Sequence, residues 1–301
     1  MRKMRFEPSR CALWLACVWS LCALSQGAMA RSLAEIVQSK QLRACIAPVH
    51  PAVAQVEPTA CQENCQFKGP AVEEVLAFAA SLGQGVKAKM RRIQWDEQFS
   101  NQQGQTVREA SYTPHLLASG QCDLFPVHLT KTAWREKKMD FVVLFPNRMM
   151  VIVQKSNKAR FRKVADLAGK NGAIEKNTSY HTWLDQQNLG QLAANPTRLQ
   201  FMLTPETIRA VEQGQVDFTL ADANMAIWAT RQLKQITVAF PVGDSDEVGW
   251  AFRKQDKDLQ AAVQQFFDAQ RKQPDSAFNA IWRKNFGRSL TEFIELMAAI
   301  R

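Results

Sequence analysis

Apolar residues at Leu33, Ile36 and Val37 fall on one helical face behind Ser32, a residue suited to cap a helix start. Residues 42–47 are then apolar apart from Arg43 and read as a first buried strand. The polar, Pro- and Cys-bearing stretch 48–68 breaks that pattern and reads as a loop. Periodicity resumes as a helix over 70–82 ended by Gly83, a strand over 87–93, and a third strand over 123–129. Between the last two, residues 100–110 are Gln-rich and without period, an inserted loop. Residues 149–154 are apolar enough to form a strand crossing from one body to another. Beyond them the pattern predicts a helix over 164–168, a strand over 172–174, helices over 179–187 and 205–213, and a strand over 217–221. A return crossing over 248–252 precedes two amphipathic helices, 258–270 and 276–285, that pack back on the first body.

Two passages of this pattern repeat. Gly120-Gln121-Cys122-Asp123-Leu124-Phe125 and Gly214-Gln215-Val216-Asp217-Phe218-Thr219 each end a helical stretch and begin an apolar run. Glycine suits a left-handed helix end, the Asp is expected to turn the chain, and the run reads as a buried strand. Two α/β units on one plan, joined by a chain that crosses out and back, make two lobes with a hinge. Ligand contacts in such sheets lie at the carboxyl ends of the strands.

The first thirty residues stand outside this plan. Residues 1–10 carry four cationic side chains against one Glu, residues 11–24 form an apolar run short for a bilayer, and Ala28-Met29-Ala30 offers small residues for cleavage. A cleaved signal is expected, with the mature chain starting near Arg31 and exported to the periplasm; a retained N-terminal anchor is the alternative. No later segment is expected to cross a membrane. Without 1–30 the chain keeps 34 Lys and Arg against 27 Asp and Glu, a net +7. That balance favours an anionic ligand or partner, but the cations are scattered without a basic and aromatic stripe, so nucleic acid is not expected.

Four cysteines remain after 1–30: Cys45, Cys61, Cys65 and Cys122. An even number in an exported chain favours disulfides, and Cys61 and Cys65 are close enough to bridge across a polar turn. Cys45 and Cys122 fall on or beside predicted strands, where either a bond or two buried thiols fits. The competing reading, zinc, wants four ligands at recognisable spacing, and His50, His115, His128 and His181 form no such motif. No phosphate-binding loop, paired His on a helix or nucleophile elbow is present, so no cofactor or metal is expected.

Ser32-Leu33-Ala34-Glu35-Ile36 with Leu42-Arg43, Phe67-Lys68-Gly69, Trp95-Asp96, the passage from Gly120 to Asp123, Thr132 to Arg135 with Asp140-Phe141, Asp166-Leu167-Ala168-Gly169-Lys170, the passage from Gly214 to Asp217, and Ile281-Trp282-Arg283-Lys284-Asn285-Phe286-Gly287 follow one another along the chain. Their ordered succession, over nearly all of 32–287, resembles the type II periplasmic substrate-binding proteins, in particular the family 3 amino-acid-binding proteins of ABC importers. The resemblance implies an α/β fold of two lobes, each a mostly parallel sheet flanked by helices, joined by a two-segment hinge. One lobe would comprise 31–150 and 245–301, the other 151–244.

The resemblance also implies ligand contacts. Arg135 stands where the family pairs a guanidinium with the ligand's α-carboxylate, and Thr130 matches a hydroxyl or backbone contact to the same group. Thr178 and Ser179 match polar residues at a helix start, where free N–H groups favour an anion. Asp222 matches the carboxylate that takes the ligand's ammonium. Read singly, Arg135 is a surface cation beside Glu136, Ser179 an N-cap and Asp222 a cap on the next helix; the ordered match favours ligand roles for Arg135 and Asp222. The chain departs from the family at Ala47-Pro48-Val49-His50, at Val127-His128 and at Asn177, where a glycine is usual. His50 and His128 either line the pocket or are satisfied structural histidines.

A monomeric, non-enzymatic binding protein that delivers a small polar ligand to a membrane ABC permease is the expected function. A periplasmic cyclohexadienyl dehydratase is the enzymatic alternative, with Glu175 as its acid; beside Lys176, Glu175 also reads as a surface ion pair. A receptor partner or orphan binding protein is the third. Sensor and lytic-transglycosylase proteins carrying this module continue into a membrane span or catalytic domain, and this chain, ending at Arg301, is expected to carry neither.

Overall fold

The computed structural model describes residues 31–300, and the expected signal over 1–30 lies outside the described residues. The chain opens with α1 (Leu33–Gln38), β1 (Gln41–Ile46), a hairpin of β2 (Gln55–Glu57) and β3 (Gln66–Lys68), α2 (Pro70–Ser81) and β4 (Lys87–Arg92). It continues through α3 (His115–Ala118), β5 (Leu124–Thr130), α4 (Ala133–Glu136) and the long strand β6 (Asp140–Gln154). Then follow β7 (Asn171–Ile174), α5 (Ser179–Leu189), β8 (Arg198–Phe201), α6 (Thr204–Glu212), β9 (Phe218–Asp222) and α7 (Ala223–Gln232). A second long strand, β10 (Ile236–Phe252), leads to α8 (Lys257–Lys272), α9 (Ala277–Phe286) and α10 (Leu290–Ala299).

The architecture is the two-lobed α/β fold that the resemblance implied. Strands β4, β1 and β5 run parallel in one lobe, and β9, β7 and β8 run parallel in the other. Between them β6 and β10 pair antiparallel along almost their whole length, so that one eight-stranded sheet, β4-β1-β5-β10-β6-β9-β7-β8, runs through both lobes. The crossings expected over 149–154 and 248–252 are only one end of each long strand. Pro146, Pro241 and the polar run from Gly243 to Glu247 hide the remainder, and the register shifts in the same region, as Pro requires where it cannot donate to a ladder. The helix expected over 164–168 is a 3-10 turn, Val164–Leu167.

The sequence repeat has a structural counterpart. Gly120 and Gly214 both take left-handed φ, +67° and +70°. After each, the Asp clamps its parallel neighbour instead of merely turning the chain. The Asp123 N–H donates to Arg43 O and its carboxylate accepts from Arg43 N at 2.7 Å; Asp217 does the same with Asn171, at 2.8 Å.

Helices α2, α8 and α9 cover the first lobe over an aromatic core that includes Phe78, Trp250, Phe267, Phe278 and Trp282. Cys61 is bonded to Cys65 as expected, and Cys45 is bonded to Cys122 within this core. The second bond joins residues 77 apart and the first residues 4 apart. Chain entropy therefore predicts that replacing Cys45 and Cys122 by Ala costs about 4–5 kcal/mol against about 2 kcal/mol for the Cys61 and Cys65 pair. Denaturant titration of both double variants checks this; equal losses would contradict it.

Candidate functional site

The carboxyl end of β5 and the following turn face the start of α5 and the end of β9. Together they close a cavity of about 30 Å³, room for a water or two. From the first lobe come Val49, Val53, Trp95, Val127, His128, Thr130 and Arg135; from the second come Thr178, Ser179, Tyr180, Thr204, Asp222 and Met225. Of the seven ligand residues expected from sequence, six line this cavity.

Arg135 is not a surface cation. It is 1% exposed, donating from Nη1 to Thr130 O at 2.8 Å and from Nη2 across the cleft to Asn177 O at 3.2 Å, while its Nε has no partner. The rings of Phe99, Trp134 and Trp95 surround the guanidinium at 4.8, 5.3 and 5.5 Å. Burial pulls its pKa down to about 10, opposed by the attraction of Asp222, so it stays cationic at neutral pH.

Asp222 does not cap α7 with its side chain. Asn147 does that work, accepting from Ala223 N at 3.0 Å while its Nδ2 donates to the Asp222 carboxylate at 2.8 Å. The Tyr180 hydroxyl accepts the Asp222 N–H at 3.0 Å and steadies its carboxylate. Burial first, and then the charge of Asp246, raise the Asp222 pKa to about 7. Asp246 on β10 is itself raised to about 6 by burial, with Arg135 pulling the other way.

The start of α5 is built as a joint between lobes. Thr178 caps the helix, accepting from His181 N at 3.2 Å, and donates its hydroxyl proton to Glu175 O at 2.7 Å. Ser179 Oγ lies 3.4 Å from Thr130 Oγ1 of the opposite lobe. Asn177, in the family's glycine position, holds φ +62°, a left-handed conformation Asn tolerates. Its Oδ1 accepts from Arg108 Nε and Nη2 at 3.3 and 3.2 Å, and its Nδ2 donates to Asp96 Oδ1 at 2.9 Å. Arg108 Nη1 also donates to Thr182 Oγ1 at 3.1 Å. The Gln-rich insertion is thus a strap between lobes, pinned by Lys138, whose Nζ donates to Arg108 O and Ala110 O. Arg108→Ala is expected to loosen the closed arrangement and raise the radius of gyration of the ligand-free chain in small-angle scattering. An unchanged profile would mean that the strap does not hold the lobes.

Three histidine and acid expectations need correction or completion. His50 is buried but does not line the cavity: its Nδ1 accepts from Ala52 N at 3.1 Å and its ring meets Trp228 edge-on at 5.0 Å. Burial lowers its pKa to about 4, so it is a neutral structural histidine whose neighbours Val49 and Val53 form the wall instead. Glu175 is no surface ion pair. It is buried, and its carboxylate accepts from Thr204 N and Oγ1 at 2.9 and 2.7 Å, while burial raises its pKa. Its place is to hold the start of α6, and Thr204 rather than Glu175 reaches the cavity. His128 does line the cavity, with Nε2 2.7 Å from Glu74 Oε2.

Sequence reasoning missed Trp95, Tyr180, Asn147, Asp246, Glu74 and Arg108 as site residues. Among the described residues, no group of three or more His, Cys, Asp or Glu side chains is placed to hold a metal ion, and no helix is long and apolar enough to cross a membrane.

The family described as bacterial extracellular solute-binding proteins, family 3, matches residues 52–288. A membrane-bound lytic murein transglycosylase F of Desulfosudis oleivorans is 30% identical over 198 residues, 64% of this chain and 38% of that protein. The protein of the same name from Saccharophagus degradans is 26% identical over 208 residues, 67% of this chain and 38% of its own length. The chain thus spans less than two fifths of these curated relatives. The solved ancestral amino acid-binding protein AncCDT-1, a precursor of cyclohexadienyl dehydratase, superposes with a TM-score of 0.65 at 20% identity, over 84% of this chain and 98% of that one. The amino acid ABC transporter substrate-binding protein AbpA of Streptococcus pneumoniae, bound to L-arginine, gives 0.63 at 21% identity, over 89% and 100%. These likenesses show the fold. The expectation of a protein outside the enzymes is overturned by the curated relatives, which are themselves named as enzymes.

Proposed function

The chain belongs to the bacterial extracellular solute-binding proteins, family 3, and from that premise we propose that its cleft captures a small zwitterion, an α-amino acid or a related carboxylate. One observation carries this reading. Arg135 in one lobe and Asp222 in the other are buried on the same cavity, and among the described residues neither has an oppositely charged side chain within ion-pairing distance. Buried charges without partners are costly, and a ligand bearing a carboxylate and an ammonium satisfies both at once. The N-terminus of α5 adds N–H donors for the carboxylate. The cavity has room for only a water or two, so the lobes, 31–150 with 245–301 and 151–244, part about β6 and β10 to admit such a ligand and close again on it, because it binds the closed state better than the open one. Export by the signal over 1–30, a monomeric state and delivery to an ABC permease complete the proposal.

A thermal-shift screen of the full chain against amino acids, small carboxylates and polyamines tests it. An α-amino acid that binds only the folded state raises the melting temperature, with about 2.7 kcal/mol gained at a hundredfold excess over Kd. A screen in which no zwitterion shifts it would overturn the reading.

A second reading is favoured by the curated relatives. The same cleft would serve a protein of the lytic murein transglycosylase kind, ligand occupancy governing cleavage of murein. Release of soluble fragments from purified murein by the full chain supports it; no release with active control enzyme present counts against it.

A further inference from the structure

Glu74 is fully buried in α2, on the stripe that also carries Ala71, Val75 and Phe78. Its Oε1 accepts from Trp282 Nε1 at 2.9 Å, and its Oε2 lies 2.7 Å from His128 Nε2. An indole N–H can only donate, and imidazole is a stronger base than carboxylate, so the proton of the second contact sits on His128 Nε2. That fixes the ring. In the neutral ring the other nitrogen, Nδ1, is left as an acceptor, and it is buried without a partner on a residue of the cavity wall. His128 also holds φ +54°, a left-handed conformation that few non-glycine residues take and His takes more readily than most. The apolar part of the cavity wall is Val49, Val53, Val127 and Met225, with the Trp95 ring.

We infer that His128 is a specificity residue whose free atom accepts a hydrogen bond from the ligand, so that the cleft selects zwitterions whose side chain carries an N–H or O–H donor. The inference rests on the zwitterion reading above. An apolar side chain leaves Nδ1 desolvated and unpaired, and sites built to bond a donor reject the analogue lacking it far more strongly than an apolar pocket rejects a misfit. Glu74 and Trp282 are positioning residues. They act by setting the tautomer.

Calorimetry with near-isosteric pairs, L-threonine against L-valine and L-asparagine against L-leucine, reads this directly. In the full chain the donor-bearing member is expected to bind at least about tenfold tighter. His128→Phe should bring that ratio close to one. In Glu74→Gln the amide can accept from Trp282 and donate to His128 Nε2, moving the ring proton to Nδ1, so the preference for donors should be lost there too. Equal affinities within the pairs, or a preference for the apolar member, would overturn the inference. If no amino acid binds at all, the zwitterion reading fails by itself, and nitrogen-15 spectra of histidine-labelled, ligand-free protein still decide the tautomer. Protonated Nε2 with bare Nδ1 at His128 supports the inference, and a proton on Nδ1 overturns it.

Discussion

Arg135→Ala is expected to weaken binding of an α-amino acid by about 2–5 kcal/mol, the range for removing one partner of a buried, hydrogen-bonded charge pair. The side chain is preorganised for the task. Three aromatic rings and two backbone carbonyls fix the guanidinium, and its Nε remains unpartnered. Lysine should rescue only part of the loss, because it keeps the charge without the two-pronged geometry. The variant also removes a contact between lobes to Asn177 O, so thermal melts should accompany calorimetry. Wild-type affinity in a folded Arg135→Ala protein would mean that the carboxylate is held elsewhere.

Asp222→Asn should separate binding from stability. Binding of an amino acid should fall by a similar amount, while a simple carboxylate without an ammonium should be spared. Stability should move the other way. The folded-state pKa of Asp222, about 7, lies above its ordinary value of 3.8, so the native state holds the proton more tightly than the unfolded chain does. Its contribution to stability is therefore present at acidic pH and is lost as pH rises through about 7. Above that pH the ionised, desolvated carboxylate is a burden that Asn removes. The variant should melt higher than the wild type at pH 8 and close to it at pH 4. A lower melting temperature at pH 8 would contradict this electrostatic account.

The fold was legible where one residue type has one conformational use. Gly120 and Gly214 announced left-handed helix ends, and Asp123 and Asp217 were noticed with them, although their clamping of neighbouring strands leaves no mark in the pattern. Strands β6 and β10 were half legible because proline and a polar hinge region interrupt their hydrophobicity. Helix α10 was missed despite Ser289 and Glu292, a capping box visible in the sequence. In the site, Arg135 and Asp222 emerged from the order of family motifs, not from their own surroundings. Glu74 did carry a signal, a charge set on the apolar stripe of α2. Arg108 and Asp246 carried none, since one sits in an aperiodic insertion and the other in a run that reads as a turn; only the folded chain brings them to the cleft.

The central claim is that the cleft reads both ends of a zwitterion, and one titration tests it most directly: calorimetry of an amino acid found by the screen, beside its des-amino carboxylate, from pH 5 to pH 8. Asp222 must be ionised to hold an ammonium, and in the free protein it loses its proton near pH 7. The amino acid should therefore bind tighter than its des-amino analogue at pH 8, with the advantage shrinking as pH falls towards 5. Equal binding of the two at every pH would contradict the account.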